Sequence, residues 1–486
     1  MLFNSLSFLI FFPVTTALYF ALAHRYRWML LLVASGYFYA CFIPKYLLIL
    51  MLVIAVDYVA GIGIEGSTGR RRKALLGLSL AANIGILASF KYVDFFNDNL
   101  RALATTLGWH YPIENLGWLL PIGLSFHTFQ SLAYTIEVYR GNQKAERHLG
   151  IFALYVLFYP QLVAGPIERP QHLLPQLHEP QEFDTERTFD GLRLMLWGLF
   201  KKMVIADRMA LIVDLVFRDP QHFGGGWIVI STWLFAIQIY CDFSGYSDTA
   251  IGAARVLGLN LRVNFERPYE SASVAEFWRR WHMSLSTWFR DYVYLPLGGN
   301  RVSSAKWVRN VAVVFLLSGL WHGANWTFVV WGALHGLYLI VGRFTTDLRA
   351  RVAGAVGLLR HPRIHHIVQV VITFQLVSLA WLFFRATSMD QAIAMLSRLG
   401  DGALFARPEA TDVSRLFSAT RDGHLLIGGL LIALMLAVEW LASRRDADQR
   451  WASAPVWLRW PAYYALIVVI LWMGDLGSRS FIYFQF

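Results

Sequence analysis

Long apolar runs, separated by short polar or basic loops, constrain this chain more than any other feature of its sequence. The first three runs cover residues 2 to 22, about 28 to 43 and 46 to 63. Roughly 20 apolar residues cross a bilayer as one helix, and only 15% of the chain is charged, against about 25% in soluble domains. The sequence therefore predicts an all-α, polytopic transmembrane protein with roughly 11 to 13 membrane segments.

Several of the remaining runs are too short or too long for one plain span. Two contain helix breakers, Pro121 with Gly123 and Gly165 with Pro166, and these mark either re-entrant segments or simple helix ends. The polar stretch from about 385 to 424 is expected to be an extramembrane loop with room for a short helix. These runs lie at about 74–90, 117–136, 150–164, 191–217, 226–257, 308–342, 366–385, 424–442 and 461–476.

The positive charge of the chain is explained by membrane topology. Lys and Arg number 43 against 32 Asp and Glu, a formal net charge of +11, and the cations sit in clusters between apolar runs. No Lys or Arg precedes Arg25, which follows the first run, and the third run is followed by the cluster 70–73. Cytoplasmic loops are enriched in Lys and Arg, so both loops are predicted inside and the N-terminus outside. We do not expect nucleic-acid binding.

The segment around residues 275 to 290 combines Trp and Arg residues. Eight Lys or Arg against four Asp or Glu lie between Arg262 and Arg309, which places the segment at the cytoplasmic interface. If 275–290 is one helix, Trp278, His282, Leu285 and Phe289 share a face that points inward. The alternative is an amphipathic anchor on anionic lipid.

His322 ends one apolar run and lies just before the next, in SGLWHGANW. Ionisable residues at membrane depth usually face a cavity and mark function, and His is the commonest general base near neutral pH. The alternative is a neutral histidine bonded to a backbone carbonyl, to Ser318 or to Asn325. The residue pattern alone leaves both interpretations open.

Other candidate sites are weaker. His335, His365 and His366 lie in less informative contexts, and the chain has no HExxH, P-loop or GxSxG motif in its required context. Asp242 and Asp248 either line a polar cavity or cap a short helix that SGYSD would begin, and we favour a structural role. Nothing in the sequence requires a metal.

Six long motifs, in order between residue 121 and the C-terminus, resemble the alginate O-acetyltransferase branch of the membrane-bound O-acyltransferase family. KYVDFF at 91–96 extends the likeness upstream, and Cys241 stands where that branch more often has Phe. The motifs are PIGLSFHTFQSLAYTIEVYRG, FYPQLVAGPIERP, QIYCDFSGYSDTAIG, EFWRRWHMSLSTWFRDYVYLPLGGNR, SGLWHGANWTFVVWGALHG and FIYFQF.

This resemblance implies a ring of helices around a central funnel, in one integral membrane O-acyltransferase domain over residues 1–486, with core motifs at 121–336 and C-terminal spans at 366–486. It implies that His322 is the catalytic residue and that His282 lies close by; His282 is the second predicted catalytic residue, which orients His322 or polarises the thioester carbonyl. Acetyl-coenzyme A is the implied donor substrate, used from the cytoplasmic side of a bacterial inner membrane. A polysaccharide outside is the implied acceptor, reached through a periplasmic partner of the SGNH-hydrolase type and the polysaccharide synthesis and export machinery.

The basic interface agrees with that scheme, because coenzyme A carries phosphates. Arg279, Arg280 and Arg290 are the candidate phosphate contacts. One alternative is peptidoglycan O-acetylation by the same chemistry. Another is a proton-coupled transporter of polysaccharide or lipid-linked sugar, whose intramembrane His and Asp residues relay protons.

Overall fold

The computed structural model describes residues 1–163, 165–400, 424–442, 451, 454–474 and 481–482, and these form helices joined by loops. No strand occurs within those ranges, which confirms the all-α prediction. The chain forms two compact units. The first comprises Met1–Met195, Ser247–Val263 and Arg290–Tyr292, and the second comprises Leu196–Tyr246, Asn264–Phe289 and Val293–Phe486. The single domain over 1–486 stays a prediction.

The helices follow the apolar runs closely, except where the sequence breaks them. From the N-terminus to the middle of the chain they are α1 Leu6–Ala21, α2 His24–Ala40, α3 Tyr46–Glu65, α4 Gly69–Lys91, α5 Val93–Thr106, α6 Leu124–Arg140, α7 Leu149–Leu157, α8 Pro170–His178, α9 Thr185–Leu199, α10 Asp207–Arg218 and α11 Gly225–Val256. They continue as α12 Val274–Arg280, α13 Met283–Phe289, α14 Ser304–His322, α15 Trp326–Phe344, α16 Thr346–Ala355, α17 Pro362–Arg385, α18 Met389–Gly400, α19 His424–Ala442 and α20 Val456–Met473.

Six of the described helices are long and apolar enough to cross a membrane, namely α3, α4, α11, α15, α17 and α20. Two shorter helices, at Leu6–Ala21 and Ile427–Ala442, are also apolar. The chain is therefore a multi-pass membrane protein. The larger predicted number of membrane segments includes short and broken ones, and it stays a prediction.

The two predicted helix interruptions are both present. Gly123 has a φ of 76° at the start of α6, and a Cβ there would lie 2.7 Å from the carbonyl oxygen of Leu162. Gly165 and Pro166 lie in the irregular segment between α7 and α8, where both residues are buried. Gly123 thus lies at a helix end, and protein covers the backbone at Gly165 and Pro166; the position of either break within the membrane stays a prediction.

A buried polar cluster joins three helices of the first unit. Asp57 of α3 has no exposed surface; its Oδ1 accepts a hydrogen bond from the Ser79 hydroxyl at 2.6 Å, and its Oδ2 accepts one from the Asn83 amide at 2.8 Å. The Ser79 hydroxyl lies 3.0 Å from that of Thr135 on α6. Because a buried polar group costs free energy unless it is hydrogen-bonded, these bonds make Asp57 tolerable inside the helix bundle.

The polar stretch after α17 begins as predicted, with a short helix, α18. Residues 401–423 lie outside the described part of the chain, so the extramembrane position of this loop stays a prediction.

Two glycines bring α14 and α15 into close contact in the second unit. A Cβ at Gly319 would lie 2.4 Å from the carbonyl oxygen of Phe328, and one at Gly332 would lie 2.2 Å from that of Phe315. Small residues at such a crossing let two helix backbones approach closely within a membrane. The pair holds the C-terminal end of α14 against α15.

We expect Gly332→Ala to destabilise the folded protein by about 1–3 kcal/mol, the usual cost of an overpacked contact. The added methyl group would collide with backbone, which cannot move aside as a side chain can. Thermal unfolding of the detergent-purified protein measures the loss. Gly342→Ala is the matched control, because it lies on the same helix with no heavy atom within 4 Å of its added Cβ. Equal melting temperatures for the two variants would contradict the prediction.

Candidate active site

His322 is the last residue of α14, where the helix meets a short break in the chain. Gly323 is extended and ends the helix. Asn325 begins the next one, because its side-chain oxygen accepts the backbone N–H of Thr327 at 3.0 Å, as an N-cap residue does. The Asn325 amide donates to the carbonyl oxygen of Thr387 at 3.0 Å. Asn325 is thus a cap for α15, and the structural alternative for His322 stays open.

Aromatic rings enclose the His322 imidazole, which is 5% exposed. The ring centroids of Trp321, Trp331 and Phe384 lie 4.9, 4.8 and 5.2 Å from that of His322, all at steep interplanar angles. Trp331 comes from α15 and Phe384 from α17, so three helices build the enclosure. Such walls exclude water and strengthen electrostatic interactions within the site.

The predicted continuous helix over 275–290 is wrong. The first helix, α12, ends at Arg280, and His282 adopts a left-handed conformation with a φ of 43°. Asn264 explains where α13 begins: its backbone oxygen accepts the N–H of Met283 at 2.9 Å, and its side-chain oxygen accepts that of Ser284 at 3.2 Å. Trp278 and His282 therefore do not share a face of one helix with the residues that follow.

His282 is fully buried, despite lying at the break between two helices. Its ring centroid lies 4.7 Å from that of Phe243 and 6.1 Å from that of Trp321. Burial lowers the pKa of His282 to about 3, because an apolar environment disfavours the charged imidazolium. The imidazole is therefore neutral at physiological pH.

The Trp321 indole contacts both predicted catalytic histidines, His282 on one helix break and His322 on another. All three residues belong to the second unit. The structure therefore brings together two histidines that are 40 positions apart in the sequence. Their catalytic roles stay predictions.

His335 is a third buried histidine in this aromatic cluster, although its sequence context was less informative than that of His322. Its Nδ1 accepts a hydrogen bond from the Trp278 indole at 3.2 Å, and its ring lies 5.0 Å from that of Trp331, which also contacts His322. The helical spacing could have identified it, since Trp331 and His335 are four residues apart and share a face of α15.

The three arginines predicted to bind phosphate differ in their surroundings. Arg279 is exposed at the end of α12, whereas Arg280 pairs with Glu276 at 2.7 Å. Arg290 is exposed, pairs with Asp291 at 2.9 Å and belongs to the first unit, unlike the other two. Partly exposed pairs of this kind contribute little free energy, so a phosphate could displace the carboxylate from either arginine.

A buried ionic cluster lies on the second unit, and the sequence analysis missed it. The Lys202 ammonium lies 2.5 Å from a carboxylate oxygen of Asp242 and 2.8 Å from one of Asp207. Asp242 also accepts the backbone N–H of Ile482 at 2.7 Å. Burial alone would lower the pKa of Lys202, but the charges of the two carboxylates outweigh it and raise that pKa above its usual value.

The structural role favoured for Asp242 is consistent with this ion pair, but the predicted helix start is not. SGYSD lies inside α11, which continues unbroken from Gly225 to Val256. Neither aspartate therefore caps a helix beginning there. Among the described residues, no group of three or more His, Cys, Asp or Glu side chains is arranged to hold a metal ion.

The left-handed backbone conformation of His282 limits which residues can replace it without loss of stability. We expect His282→Asn to fold like the wild type, because Asn tolerates positive φ. The free energy of unfolding of His282→Val should be lower than that of His282→Asn by about 1–2 kcal/mol, because a β-branched residue is strained at positive φ. Thermal unfolding of both purified variants checks this. Equal stability of the two would mean that the backbone conformation of His282 imposes no constraint.

The candidate site therefore consists of buried histidines enclosed by aromatic rings in a helical membrane protein. The membrane-bound O-acyltransferase family model matches residues 148–386, a range that contains all three of these histidines. A probable alginate O-acetylase of Pseudomonas aeruginosa is 40% identical over 439 residues, which cover 89% of this chain and 81% of the relative. This chain belongs to the membrane-bound O-acyltransferase family.

Two further relatives show how the family varies. A peptidoglycan O-acetyltransferase of Helicobacter pylori is 36% identical over 397 residues, covering 75% of this chain and 72% of the relative. A teichoic acid D-alanyltransferase of Bacillus subtilis is 26% identical over 287 residues, covering 57% and 70%. The chain is thus a membrane acyltransferase, as its motifs predicted.

Proposed function

We propose that this protein moves an acetyl group from cytoplasmic acetyl-coenzyme A across the bacterial inner membrane, for O-acetylation of an extracellular or periplasmic polysaccharide. The observation that carries the proposal is that His282 and His322 lie buried at two separate helix breaks and both contact Trp321. The 40% identity to a probable alginate O-acetylase supports it. An alginate-like exopolysaccharide is the acceptor class we favour.

His322 acts as the general base in this proposal. It removes the proton from an acceptor hydroxyl as the hydroxyl oxygen attacks the thioester carbonyl, so that a carbon–oxygen bond forms. The carbon–sulfur bond then breaks, and the proton passes from the imidazolium to the departing thiolate. The aromatic enclosure excludes water that would otherwise hydrolyse the thioester.

Neutral His282 supports this reaction by orienting His322 or by polarising the thioester carbonyl. A neutral imidazole has one N–H donor and one acceptor nitrogen, so it can donate a hydrogen bond to a carbonyl oxygen without carrying charge. The lowered pKa of His282 supports this role, because the ring stays neutral across the physiological range.

Arg279, Arg280 and Arg290 are the proposed contacts to the coenzyme A phosphates. Guanidinium groups bind phosphate oxygens in a bidentate manner, and the exposure of Arg279 and Arg290 supports access from solvent. The outer steps require a periplasmic SGNH-hydrolase-like partner and the machinery that makes and exports the polymer.

Peptidoglycan O-acetylation is the second candidate, because the Helicobacter pylori relative bears that name and is nearly as similar. The test is to compare O-acetyl content in the exopolysaccharide and in the peptidoglycan of cells with and without this protein. Loss from the exopolysaccharide alone supports our proposal, and loss from peptidoglycan alone supports the second candidate.

Isolated membranes distinguish the enzyme from a proton-coupled transporter. We expect membranes containing the protein to release free coenzyme A from acetyl-coenzyme A carrying a labelled acetyl group, and to incorporate the label into polymer. Membranes lacking the protein are the control. Polymer export that stops without the protein, with no release of coenzyme A in its presence, would favour the transporter.

A further inference from the structure

A cavity of about 160 Å³ opens in the first unit, beside the beginning of α2. Seven charged or titratable side chains line it, and they come from four parts of the chain: α1, α2, the residue before α7 and the end of α8. They are Tyr19, His24, Arg25, Arg27, His148, His178 and Glu179. No part of the acyl transfer chemistry proposed above uses these residues.

The two arginines differ in how firmly they are held. Arg27 donates to the carbonyl oxygens of Leu22 and Gln181 and lies 4.9 Å above the Tyr19 ring. Arg25 is exposed and rests on the ring of Tyr26 at 4.7 Å. Arg27 is thus a fixed part of the wall, whereas the guanidinium of Arg25 can turn to meet a ligand.

Hydrogen bonds to the backbone determine which nitrogen of two lining histidines carries the proton. His148 Nδ1 accepts the N–H of Ile151 at 3.2 Å, so a neutral His148 carries its proton on Nε2 and presents a donor there. His24 Nε2 lies 3.1 Å from the carbonyl oxygen of His178, so this nitrogen carries the proton of His24. Because the His24 N–H is donated to that carbonyl, the lining offers a ligand the Nε2–H of His148 and the guanidinium groups of Arg25 and Arg27.

Acidic groups at the cavity are fewer than cationic ones. Glu179 is the one carboxylate among the lining residues, and Glu146 behind the wall bonds His178 at 2.8 Å. Arg25 and Arg27 therefore exceed the lining carboxylate by one positive charge, before any histidine is protonated. An anion is the ligand that such a lining favours.

We propose that this cavity binds the phosphate group of a phosphate ester. Its volume of about 160 Å³ is large enough for a phosphate group with its first ester atoms. Arginine guanidinium and imidazole N–H groups form charge-assisted hydrogen bonds with phosphate oxygens. The ester is either a phospholipid headgroup or a soluble phosphate compound, and the apolar surface of Trp28 in the lining suits the glycerol end of a lipid.

Native mass spectrometry of the full-length protein, purified in a neutral detergent, tests the proposal directly. Two probes are added separately: short-chain phosphatidylglycerol and inorganic phosphate. Neutral diacylglycerol of the same chain length is the control for apolar binding. We expect a saturable adduct with phosphatidylglycerol if the source is lipid, or with inorganic phosphate if it is soluble, and none with diacylglycerol.

Arg25→Gln is the variant that assigns the adduct to this cavity. It should weaken binding about tenfold, since a hydrogen bond to a charged group contributes on the order of one such factor, and it should leave thermal stability unchanged. Arg71→Gln is the matched control, because it removes the same charge from another exposed arginine, at the start of α4. It should leave the affinity unchanged.

Two results would overturn the proposal. One is that neither phosphatidylglycerol nor inorganic phosphate forms a saturable adduct. The other is that Arg25→Gln and Arg71→Gln weaken binding equally, which would mean that the affinity for phosphate depends only on the net charge of the protein. His148→Gln provides a second reading, because the Gln amide retains a donor; its affinity should fall less than that of Arg25→Gln.

Discussion

Cells producing His322→Ala are expected to make exopolysaccharide with no measurable O-acetyl groups, at unchanged levels of polymer and of the membrane protein. Loss of a general base typically costs about 10²- to 10⁴-fold in rate, which reduces acetylation below detection. The helix itself should persist, because Ala is the best helix former and His322 occupies the last position of α14. The measurement is O-acetyl content per sugar in purified polymer, with membrane levels determined by immunoblotting.

His366→Ala is the matched control for this experiment, because His366 is exposed on α17. It should acetylate as the wild type does. Full acetylation by His322→Ala would assign His322 a structural role and refute the proposed mechanism. Reduced acetylation together with a reduced protein level would be resolved by release of coenzyme A per mole of purified enzyme.

Lys202→Met is expected to have the largest effect on folding, a loss of about 3–5 kcal/mol in the free energy of unfolding. Removing one partner of a buried ion pair leaves an uncompensated buried charge, and here two carboxylates, Asp207 and Asp242, would lose their cation. Asp242→Asn should cost less, because Lys202 would retain Asp207 and the amide oxygen can still accept the N–H of Ile482.

Thermal and denaturant unfolding of the detergent-purified variants measures whether Lys202→Met loses more stability than Asp242→Asn. Lys306→Met is the control, because Lys306 is exposed at the start of α14, and it should change stability by less than about 0.5 kcal/mol. The raised pKa of Lys202 means that its contribution is fully present below the ordinary lysine value, and is lost only as pH rises through the higher folded-state value. Stability equal to wild type at neutral pH would show that the cluster is dispensable.

The sequence was sufficient to predict most of the helices, because apolar runs of bilayer length have few alternatives. It also placed His322 at the end of an apolar run, and this position is the last residue of α14. The helix over 275–290 was wrong for a tertiary reason. Asn264, some twenty residues upstream, supplies the oxygen atoms that begin α13, and a periodic pattern cannot reveal such a partner.

The helix start predicted at SGYSD is wrong because this segment lies inside α11. Gly245 of that segment allows a close approach, since a Cβ there would meet the carbonyl oxygen of Gly198 at 2.5 Å. Lys202 and Asp242 are 40 residues apart in the sequence, so no local pattern indicates their pairing. Only the folded chain brings such partners together.

The glycine contact between α14 and α15 also bears on the proposed mechanism. With Gly319 and Gly332 against backbone, no side chain separates the two helices at this contact. The proposed base, His322 at the end of α14, is therefore positioned by the packing of one backbone on another, and not by side chains that can move aside.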